Sequence, residues 1–339
     1  MQYYRAGGPD SVLSLAGGLL IAFTLLFGPE PAVAAWHQQQ RDIMGTRISV
    51  ELWHDEDWAA ADCSERIFTE MRRIEALMSS YIDSSRLSYI NSNAAVSAVE
   101  ISDEMRLLIE KSLYFSQISD GAFDITYASV GYAYDYRKRQ QPSDAEVASN
   151  LEAIDYRHIK LEGNRIRFAH GSVRIDLGGI AKGYAIDRAA EIVAQCGIDR
   201  AMVSAGGDSR IIGDRGGQPW IIGIQNPRDP TGVALRLPLS DSAISTSGDY
   251  ERFFIEHGDR VHHIIDPATG RSAKKSWSTT VTGPDAMTTD ALSTTIFIMG
   301  AVKGLALIES LDGIDAIIID SAGKVHYSSG FEPPGTEGY

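Results

Sequence analysis

The sequence predicts an α+β fold in which mixed sheets are covered by helices. Two observations predict it. Before residue 120, apolar residues recur mainly at helical spacing, whereas from Arg165 onward short β-type runs dominate. Two helical patterns, Ala181 to Cys196 and about Met287 to Met299, interrupt those runs. The length of 339 residues allows either one large domain or two fused subdomains.

The composition is that of a globular protein and limits its partners. The chain has 31 Lys and Arg against 45 Asp and Glu, a formal net charge of −14, with 44% hydrophobic and 22% charged residues. These proportions exclude intrinsic disorder, collagen and a disulfide-stapled miniprotein. An acidic chain without a long Lys/Arg run is also unsuited to nucleic acid, which requires a basic face. A small or acidic partner bridged by a metal remains open.

The N-terminal segment predicts export. Residues 12–27 form an apolar run that is shorter than the roughly 20 residues needed to cross hydrocarbon, and a small-x-small cleavage pattern follows at 32–34. We interpret 1–34 as a signal peptide and 35–339 as a single domain, which predicts a periplasmic or otherwise exported protein. The alternative is an uncleaved segment that holds the protein at the membrane, because Asp10 makes the region before the run less basic than usual. No cysteine directly follows the run, so we expect no lipoprotein.

The two cysteines, Cys63 and Cys196, allow two interpretations. Export permits a disulfide between them. Each one, however, occupies an apolar position of a helix-periodic stretch, where free cysteine behaves as a small hydrophobe. We therefore expect two buried thiols. Their spacing contains neither a CxxC motif nor a zinc pattern.

The first elements follow from periodicity and capping. Residues 47–53 alternate apolar and polar side chains, which predicts a half-buried strand. From Ala60 the apolar residues recur at spacings of three and four, which predicts a long helix packed on the core. Ser102, followed by two acidic residues, predicts the N-cap of a second helix that reaches about Ile118. Residues 132–157 are polar and lack an apolar period, so we expect a solvated excursion there.

The densest candidate for chemistry is the segment 175–184, IDLGGIAKGY. It predicts a strand that ends in glycines and leads into a helix, where backbone amides and the helix N-terminus favour a phosphate or pyrophosphate. Lys182 supplies a further positive charge. The segment is neither a Walker A loop nor the dinucleotide motif GxGxxG. Gly178 and Gly179 equally suit close packing of a strand on a helix, so both interpretations remain open.

A second candidate lies in the predicted helix near residues 287–299. Asp290 and Thr294 are four residues apart and therefore project from one face. Carboxylate and hydroxyl oxygens are hard ligands that suit Mg²⁺, which shares its coordination sphere with substrate phosphates. The simpler alternative is a carboxylate that the helix dipole favours near the N-terminus.

A third candidate is the pair His262 and His263, at the end of a predicted strand that enters a turn. A histidine at this position can act as a general base. Adjacent strand residues point to opposite faces, so at most one of the two can serve. The sequence contains neither HExxH nor GxSxG, which disfavours a metalloprotease or an α/β-hydrolase.

Taken in order, these and five further polar segments resemble the ApbE family of FAD:protein FMN transferases. The segments are MGT (44–46), SSY (79–81), DGAFDIT (120–126), IDLGGIAKGYAID (175–187), SAGGD (204–208), STSGDYER (245–252), HIIDPATG (263–270) and TTDALSTT (288–295). The resemblance implies an ApbE-like fold of two closely associated subdomains. It also implies a secreted enzyme that binds FAD and Mg²⁺, transfers FMN to a Ser or Thr hydroxyl of a target protein through a phosphoester bond, and releases AMP.

The resemblance further implies roles for individual residues. The positions that match the metal ligands are Gly179, through its carbonyl, Asp290 and Thr294, with Ser293 as a further oxygen donor. Asp290 and His263 are the implied catalytic residues, His263 as the base for the incoming hydroxyl; a nearby Asp remains an alternative base. The positions implied to line the flavin and adenine pocket are Met44, Tyr81, Ala122, Phe123, Asp124, Asp176, Lys182 and Ile265.

Three functions follow for comparison. FMN transfer to a protein is the leading hypothesis. A periplasmic FAD pyrophosphatase that gives FMN and AMP would use the same site with water as the nucleophile. A non-catalytic flavin-binding protein is the third hypothesis. By resemblance, the acceptors are flavoprotein subunits of sodium-translocating NADH:quinone reductase or of Rnf-type complexes. Ser204 departs from the family pattern, which commonly has Asn at that position.

Overall fold

The computed structural model describes residues 34–331. The predicted signal peptide therefore lies outside the described residues, apart from its last position, Ala34. Residues 34–331 belong to one compact unit, within which the two expected subdomains are not separate units. No helix within residues 34–331 is long and apolar enough to cross a membrane.

Most helices of the described chain precede residue 200, and most strands follow it. The α-helices are α1 Asp57–Met78, α2 Arg86–Asn93, α3 Asp103–Ile118, α4 Ala128–Gly131, α5 Asp144–Asn150, α6 Ala181–Gln195, α7 Ala286–Met299 and α8 Ala301–Ile308. The strands are β1 Ala35–Ile43, β2 Thr46–His54, β3 Val99–Glu100, β4 Ile159–Glu162, β5 Arg165–Phe168, β6 Ala201–Ala205, β7 Asp208–Ile212, β8 Trp220–Asn226, β9 Asp229–Leu239, β10 Ala243–Gly248, β11 Phe253–Glu256, β12 Asp259–His262, β13 Ile265–Asp266, β14 Arg271–Ser272, β15 Ser276–Gly283, β16 Asp315–Asp320 and β17 Val325–Tyr327. Short 3-10 turns lie at Ile125–Tyr127, Leu151–Ala153 and Tyr156–His158.

An eight-stranded antiparallel sheet carries the fold, in the order β1-β2-β6-β7-β10-β15-β16-β17. Helices α1, α6, α7 and α8 pack against it and form the main core with it. The β8–β9 hairpin contributes Trp220 and Leu237 to a second apolar cluster, which includes Ile211, Ile244 and Ile317 of the sheet. The predicted α+β fold with sheets covered by helices is confirmed.

The periodic elements of the first part are also confirmed. In β2 the alternating residues Ile48, Val50 and Leu52 are fully buried, because one face of the strand lies on the core. Helix α1 buries its apolar stripe in the same core. Ser102 caps α3, and its hydroxyl accepts a hydrogen bond from the backbone N–H of Met105 at 3.2 Å.

The prediction of a solvated excursion at residues 132–157 is only partly right: many of its side chains are exposed, but the stretch contains a helix and buried residues. This stretch contains α5, which begins with a capping box between Ser143 and Glu146. Tyr134 and Val147 are buried in an apolar cluster with residues of the β11–β12 hairpin. The elements here are too short for their apolar residues to repeat, so periodicity could not reveal them.

The strand predicted before the glycine turn is also absent: residues 173–177 belong to no strand of the described chain. The side chain of Asn91 takes the place of a neighbouring strand. Its Oδ1 accepts from the N–H of Ile175 at 2.8 Å, and its Nδ2 donates to the Ile175 carbonyl at 2.9 Å. A second backbone bond joins the N–H of Asp176 to the Ile125 carbonyl at 2.9 Å.

The expectation of two free thiols is wrong, because Cys63 and Cys196 form a disulfide. Their Cα atoms lie 6.2 Å apart, within the usual range for the bond. Cys63 lies on α1 and Cys196 is the C-cap of α6, and both helices pack on the core. The tertiary contact between α1 and α6 brings the two together, and a single-helix pattern contains no such information.

We expect loss of this disulfide to destabilise the fold. The bond joins positions 133 residues apart, so replacing both cysteines by Ala should lower the free energy of unfolding by about 2–4 kcal/mol through the larger freedom of the unfolded chain. Urea unfolding with and without dithiothreitol measures the effect. The double variant should not respond to the reductant, and equal midpoints for oxidised and reduced wild-type protein would contradict the prediction.

Candidate active site

The first turn of α6 and the middle of α7 meet at a buried charged cluster. The Lys182 Nζ lies 3.0 Å from Asp290 Oδ1 and 2.6 Å from Asp208 Oδ2. The other oxygen of Asp290 accepts from the backbone N–H of Gly183 at 3.0 Å. Both carboxylates are almost fully buried. Two residues that the sequence analysis singled out are thus in contact, and Asp208, which it did not select, joins them.

The cluster holds one uncompensated negative charge when both carboxylates are ionised. Burial raises the pKa of Asp290 to about 6, an effect to which the charge of Asp208 adds and which Lys182 opposes. Burial by itself lowers the pKa of Lys182, but Asp208 and Asp290 outweigh it and raise that pKa above its ordinary value. Lys182 is therefore a permanent cation, and the cluster can attract one more.

Oxygen donors surround this cluster. A Cβ placed on Gly179 would lie 3.6 Å from Thr294 Oγ1, so the glycine turn touches α7 one helical turn beyond Asp290. The hydroxyl of Ser247, in β10, lies 2.9 Å from Ser293 Oγ and 3.2 Å from Thr294 Oγ1. Within residues 34–331, three or more His, Cys, Asp or Glu side chains are nowhere grouped to hold a metal. The donors at this position are instead a carboxylate and hydroxyls, a hard set that suits Mg²⁺.

Gly183 makes the close approach of α6 and α7 possible. A Cβ at this position would collide with the backbone of α7 at Ala286 and Met287. The same helix ends are joined by Asp187, whose carboxylate accepts from the N–H groups of Ala286 and Met287, each at 2.8 Å. The position of Asp290 relative to Lys182 therefore depends on the absence of a side chain at residue 183.

We expect Gly183→Ala to separate the two helices. The added methyl group should lower the free energy of unfolding by about 1–3 kcal/mol, since it can be accommodated only if the backbone of α6 or α7 moves. Thermal unfolding measures this loss, and the activity should fall with it. Gly171→Ala is the matched control, because its Cβ would meet nothing within 4 Å. Equal melting temperatures for the two variants would contradict the expected collision.

Asp176 connects three of the segments that carry the resemblance. Its carboxylate accepts from Ser80 Oγ at 2.5 Å, from the Tyr127 hydroxyl at 3.0 Å and from the N–H of Gly178 at 2.7 Å. Asp176 therefore holds three parts of the chain against one another: the segment at 79–81, the 3-10 turn at Ile125–Tyr127 and the glycine turn. Asp176 gives the glycine turn its shape, since it accepts from that turn directly.

Asp124, another predicted pocket residue, uses its carboxylate to hold its own turn against the turn that begins at Tyr156. It accepts from the N–H of Thr126 at 2.8 Å, from its hydroxyl at 2.6 Å and from the N–H of Tyr156 at 2.7 Å. Burial raises the pKa of Asp124, although these hydrogen bonds oppose the effect. The neighbouring Phe123 is buried and would lie 3.3 Å from a Cβ on Gly179. Ala122 packs beside the apolar cluster that contains Phe297.

Three further predicted pocket residues lie in different surroundings. Met44 has a positive φ of 56°, and its N–H donates to Glu75 Oε1 at 2.8 Å. Ile265 is buried in the cluster under the β11–β12 hairpin. Tyr81 is 83% exposed, so its ring is free to stack on a ligand. Arg252 donates to the Gly45 carbonyl at 3.3 Å and thereby joins the loop that follows Met44.

The structure distinguishes the two histidines. The ring of His262 bonds to the backbone on both sides: its Nε2 lies 2.7 Å from the Ala273 carbonyl, and its Nδ1 accepts from the N–H of Ile264 at 3.3 Å. His263 is half-buried, and its Nδ1 is buried without a hydrogen-bond partner among the described residues. Burial, together with the charge of Arg252, lowers the pKa of His263 to about 3. Both ring nitrogens of His262 are engaged in hydrogen bonds, so of the two histidines His263 is the one whose ring is available for proton transfer.

The lowered pKa of His263 predicts a pH dependence of stability. Below the ordinary histidine pKa of about 6.5, His263 is protonated in the unfolded chain but stays neutral in the folded chain. This group's contribution is therefore complete above pH 6.5 and is lost as the pH falls from about 6.5 towards about 3. When the pH is lowered from 7 to 5, the free energy of unfolding measured with urea should fall less for His263→Gln than for wild type. Parallel losses for the two proteins would contradict this.

Asp208, Ser247 and Arg252 are residues in or near the site that were not predicted individually from the sequence. Each lies inside a segment quoted above, SAGGD or STSGDYER. Asp208 and Ser247 each lie beside a glycine, and a carboxylate or hydroxyl beside a glycine is equally typical of an ordinary turn.

Comparison with known proteins identifies similar chains. The model of the ApbE family matches residues 44–318. The chain is 32% identical over 284 residues to an FAD:protein FMN transferase of Vibrio cholerae serotype O1, covering 80% of this chain and 85% of that protein. It is 29% identical over 312 residues to an FAD:protein FMN transferase of Treponema pallidum, covering 85% of each.

Solved structures are similar in fold as well. The ApbE protein of Thermotoga maritima superimposes with a TM-score of 0.81 at 33% identity, covering 88% of this chain and 98% of that chain. The flavin transferase ApbE of Vibrio cholerae gives a TM-score of 0.79 at 27% identity, covering 88% and 99%.

Proposed function

Because the chain belongs to the ApbE family and is an FAD:protein FMN transferase, we propose that it acts with Mg²⁺, transfers FMN to a Ser or Thr hydroxyl through a phosphoester bond, and releases AMP. The observation that carries the proposal is the contact between Lys182 and Asp290 beside the glycine turn. It combines a fixed cation for a pyrophosphate with oxygen donors for a divalent metal. Phosphoryl transfer mainly requires such placement of positive charge.

We propose Gly179, Asp290, Ser293 and Thr294 as the residues that hold Mg²⁺. The approach of Gly179 to Thr294 supports this set, as does the spacing of Asp290 and Thr294 on one helix face. When bound, the metal would neutralise charge on the phosphoryl oxygens. Ser247 keeps the Ser293 and Thr294 hydroxyls in place through its own hydroxyl.

The proposed flavin and adenine pocket combines rigid and exposed residues. Lys182 would contact the pyrophosphate, and the exposed ring of Tyr81 would stack on an aromatic part of FAD. Asp176 and Asp124 fix the turns around them through their hydrogen bonds. The remaining residues proposed to line the pocket are Met44, Ala122, Phe123 and Ile265.

We propose His263 as the base that accepts the acceptor's proton. The hydroxyl oxygen attacks the FMN phosphorus, the bond from that phosphorus to the bridging oxygen breaks, and AMP leaves with that oxygen. The proton passes to Nε2 of His263, since Nδ1 is buried. The cations Arg252 and Lys182 lower the pKa of His263 in the free enzyme. A bound pyrophosphate places negative charge beside them and so raises that pKa towards the working range.

We propose that the protein works in an exported compartment. The apolar run with its cleavage pattern supports export. The disulfide supports it independently, since such bonds persist in oxidising compartments. The proposed acceptors are flavoprotein subunits of sodium-translocating NADH:quinone reductase or Rnf-type complexes. A signal segment left uncleaved would keep the enzyme at the membrane.

The test incubates residues 35–339 with FAD, Mg²⁺ and an acceptor subunit. The expected product is a fluorescent acceptor band that survives denaturing electrophoresis, with one AMP released per flavin attached. A chelator should abolish the band, and added Mg²⁺ should restore it. FMN and AMP released at the same rate without acceptor would instead support the pyrophosphatase hypothesis. FAD binding without AMP release under any condition would support a flavin-binding protein.

A further inference from the structure

Asp208 is a buried carboxylate with a single charged partner. It begins β7, directly after a turn in which Gly206 and Gly207 pack tightly against residues of neighbouring strands. Its side chain is nearly inaccessible, and its Oδ2 lies 2.6 Å from the ammonium of Lys182. A buried charge is costly unless it is paired, and the carboxylate of Asp208 has no other charged partner within residues 34–331.

The proposed function makes two demands on Asp290. One oxygen of Asp290 accepts from Lys182 and the other from the N–H of Gly183. A divalent cation on the same carboxylate would repel the Lys182 ammonium at short range. If Asp290 were the only partner of Lys182, the ammonium would either compete with the metal or be left buried and unpaired.

Asp208 removes this conflict, because it gives Lys182 a second carboxylate that does not depend on Asp290. The ammonium bridges the two carboxylates at 2.6 and 3.0 Å. Release of the Asp290 contact therefore leaves Lys182 paired with Asp208 and still inside the site. The separation of the two carboxylates is fixed by β7, a strand of the eight-stranded sheet, and by α7, which packs on that sheet.

We propose that Asp208 is a positioning residue for FMN transfer: it holds the Lys182 ammonium so that a divalent cation can occupy Asp290 while Lys182 stays in the site. The inference rests on the metal position of the proposed function and concerns Lys182 and Asp208, which are not among the proposed metal ligands. It predicts that the effect of Asp208 on metal binding passes through Lys182.

The test measures Mn²⁺ binding to residues 35–339, with and without FAD, by electron paramagnetic resonance. Asp208→Asn should weaken Mn²⁺ binding about 10–100-fold, as loss of a residue that orients a metal site does. The reason is that Asp290 is then the only carboxylate paired with the Lys182 ammonium, which competes with the metal ion. In the double variant Asp208→Asn/Lys182→Gln, Mn²⁺ binding should return to within a few-fold of wild type. Asp259→Asn, at an exposed pair with Lys274, is the control and should change nothing.

The double variant separates a positioning role from other roles. If it binds Mn²⁺ as weakly as Asp208→Asn, Asp208 acts as a ligand or as a support of the fold, and the inference is overturned. Wild-type affinity in Asp208→Asn would overturn it as well. Absence of Mn²⁺ binding in the wild type, with or without FAD, would overturn the metal site itself. Circular dichroism checks folding; should Asp208→Asn unfold, Asp208→Glu replaces it, with an intermediate affinity expected.

Discussion

Asp290→Asn should reduce the rate of FMN transfer by about 10³-fold or more. Asp290 is the only carboxylate among the proposed metal ligands, and stabilisation of transition-state charge by a metal amounts to several kcal/mol, each 1.4 kcal/mol being tenfold in rate. The amide also leaves Lys182 with one carboxylate instead of two. The initial rate of fluorescent acceptor formation at saturating FAD measures the effect, and excess Mg²⁺ should not restore it.

Asp285→Asn is the matched control for this variant. Asp285 caps the same helix by accepting from the N–H of Thr288 at 2.8 Å, and Asn caps helices about as well as Asp does. The two substitutions are chemically identical and lie five positions apart, yet only Asp290 faces Lys182. Transfer rates that fall equally in both variants would show that the loss comes from α7 as a whole and would refute the assignment of Asp290.

His263→Ala should slow transfer by about 10²–10⁴-fold, the usual contribution of a general base. FAD binding should be nearly unchanged, because the proposed role of His263 concerns the acceptor hydroxyl. Single-turnover transfer with enzyme preloaded with FAD measures the step without a contribution from binding. A rate near that of wild type would favour a nearby Asp as the base.

His262→Ala provides the contrasting result. The ring of His262 bonds to the Ala273 carbonyl and accepts from the N–H of Ile264, and it packs edge-on against Phe297. We expect its loss to lower the melting temperature more than that of His263 and to leave single-turnover transfer largely intact in the folded fraction. If the two variants exchange these properties, the roles assigned to the adjacent histidines are reversed.

The sequence predicted well wherever a single element determines the outcome. The stripe of α1 and the Ser102 cap are local features, so periodicity and capping identified them. The spacing of Asp290 and Thr294 follows from helix geometry alone. The resemblance supplied the order of the segments, and the fold brings Gly179, Lys182 and Asp290 to one place.

What could not be predicted depends on contacts between distant residues. Residues 173–177 look like a strand, yet the side chain of Asn91 satisfies their backbone. Cys63 resembles any buried apolar residue until α6 brings Cys196 to it. Asp208 looks like a turn residue, and only the position of Lys182 gives it another role. In each case the deciding partner lies more than twenty residues away, beyond the reach of a local pattern.

The disulfide also closes a covalent ring around part of the site. The ring runs from Cys63 to Cys196 and contains the segments at 79–81, 120–126 and 175–187. A protease that cuts the backbone once anywhere inside this ring leaves a single covalent molecule, because both new ends stay attached through the sulfur bridge. In a compartment rich in proteases, a nicked enzyme of this kind can keep these three segments beside the sheet that orients them.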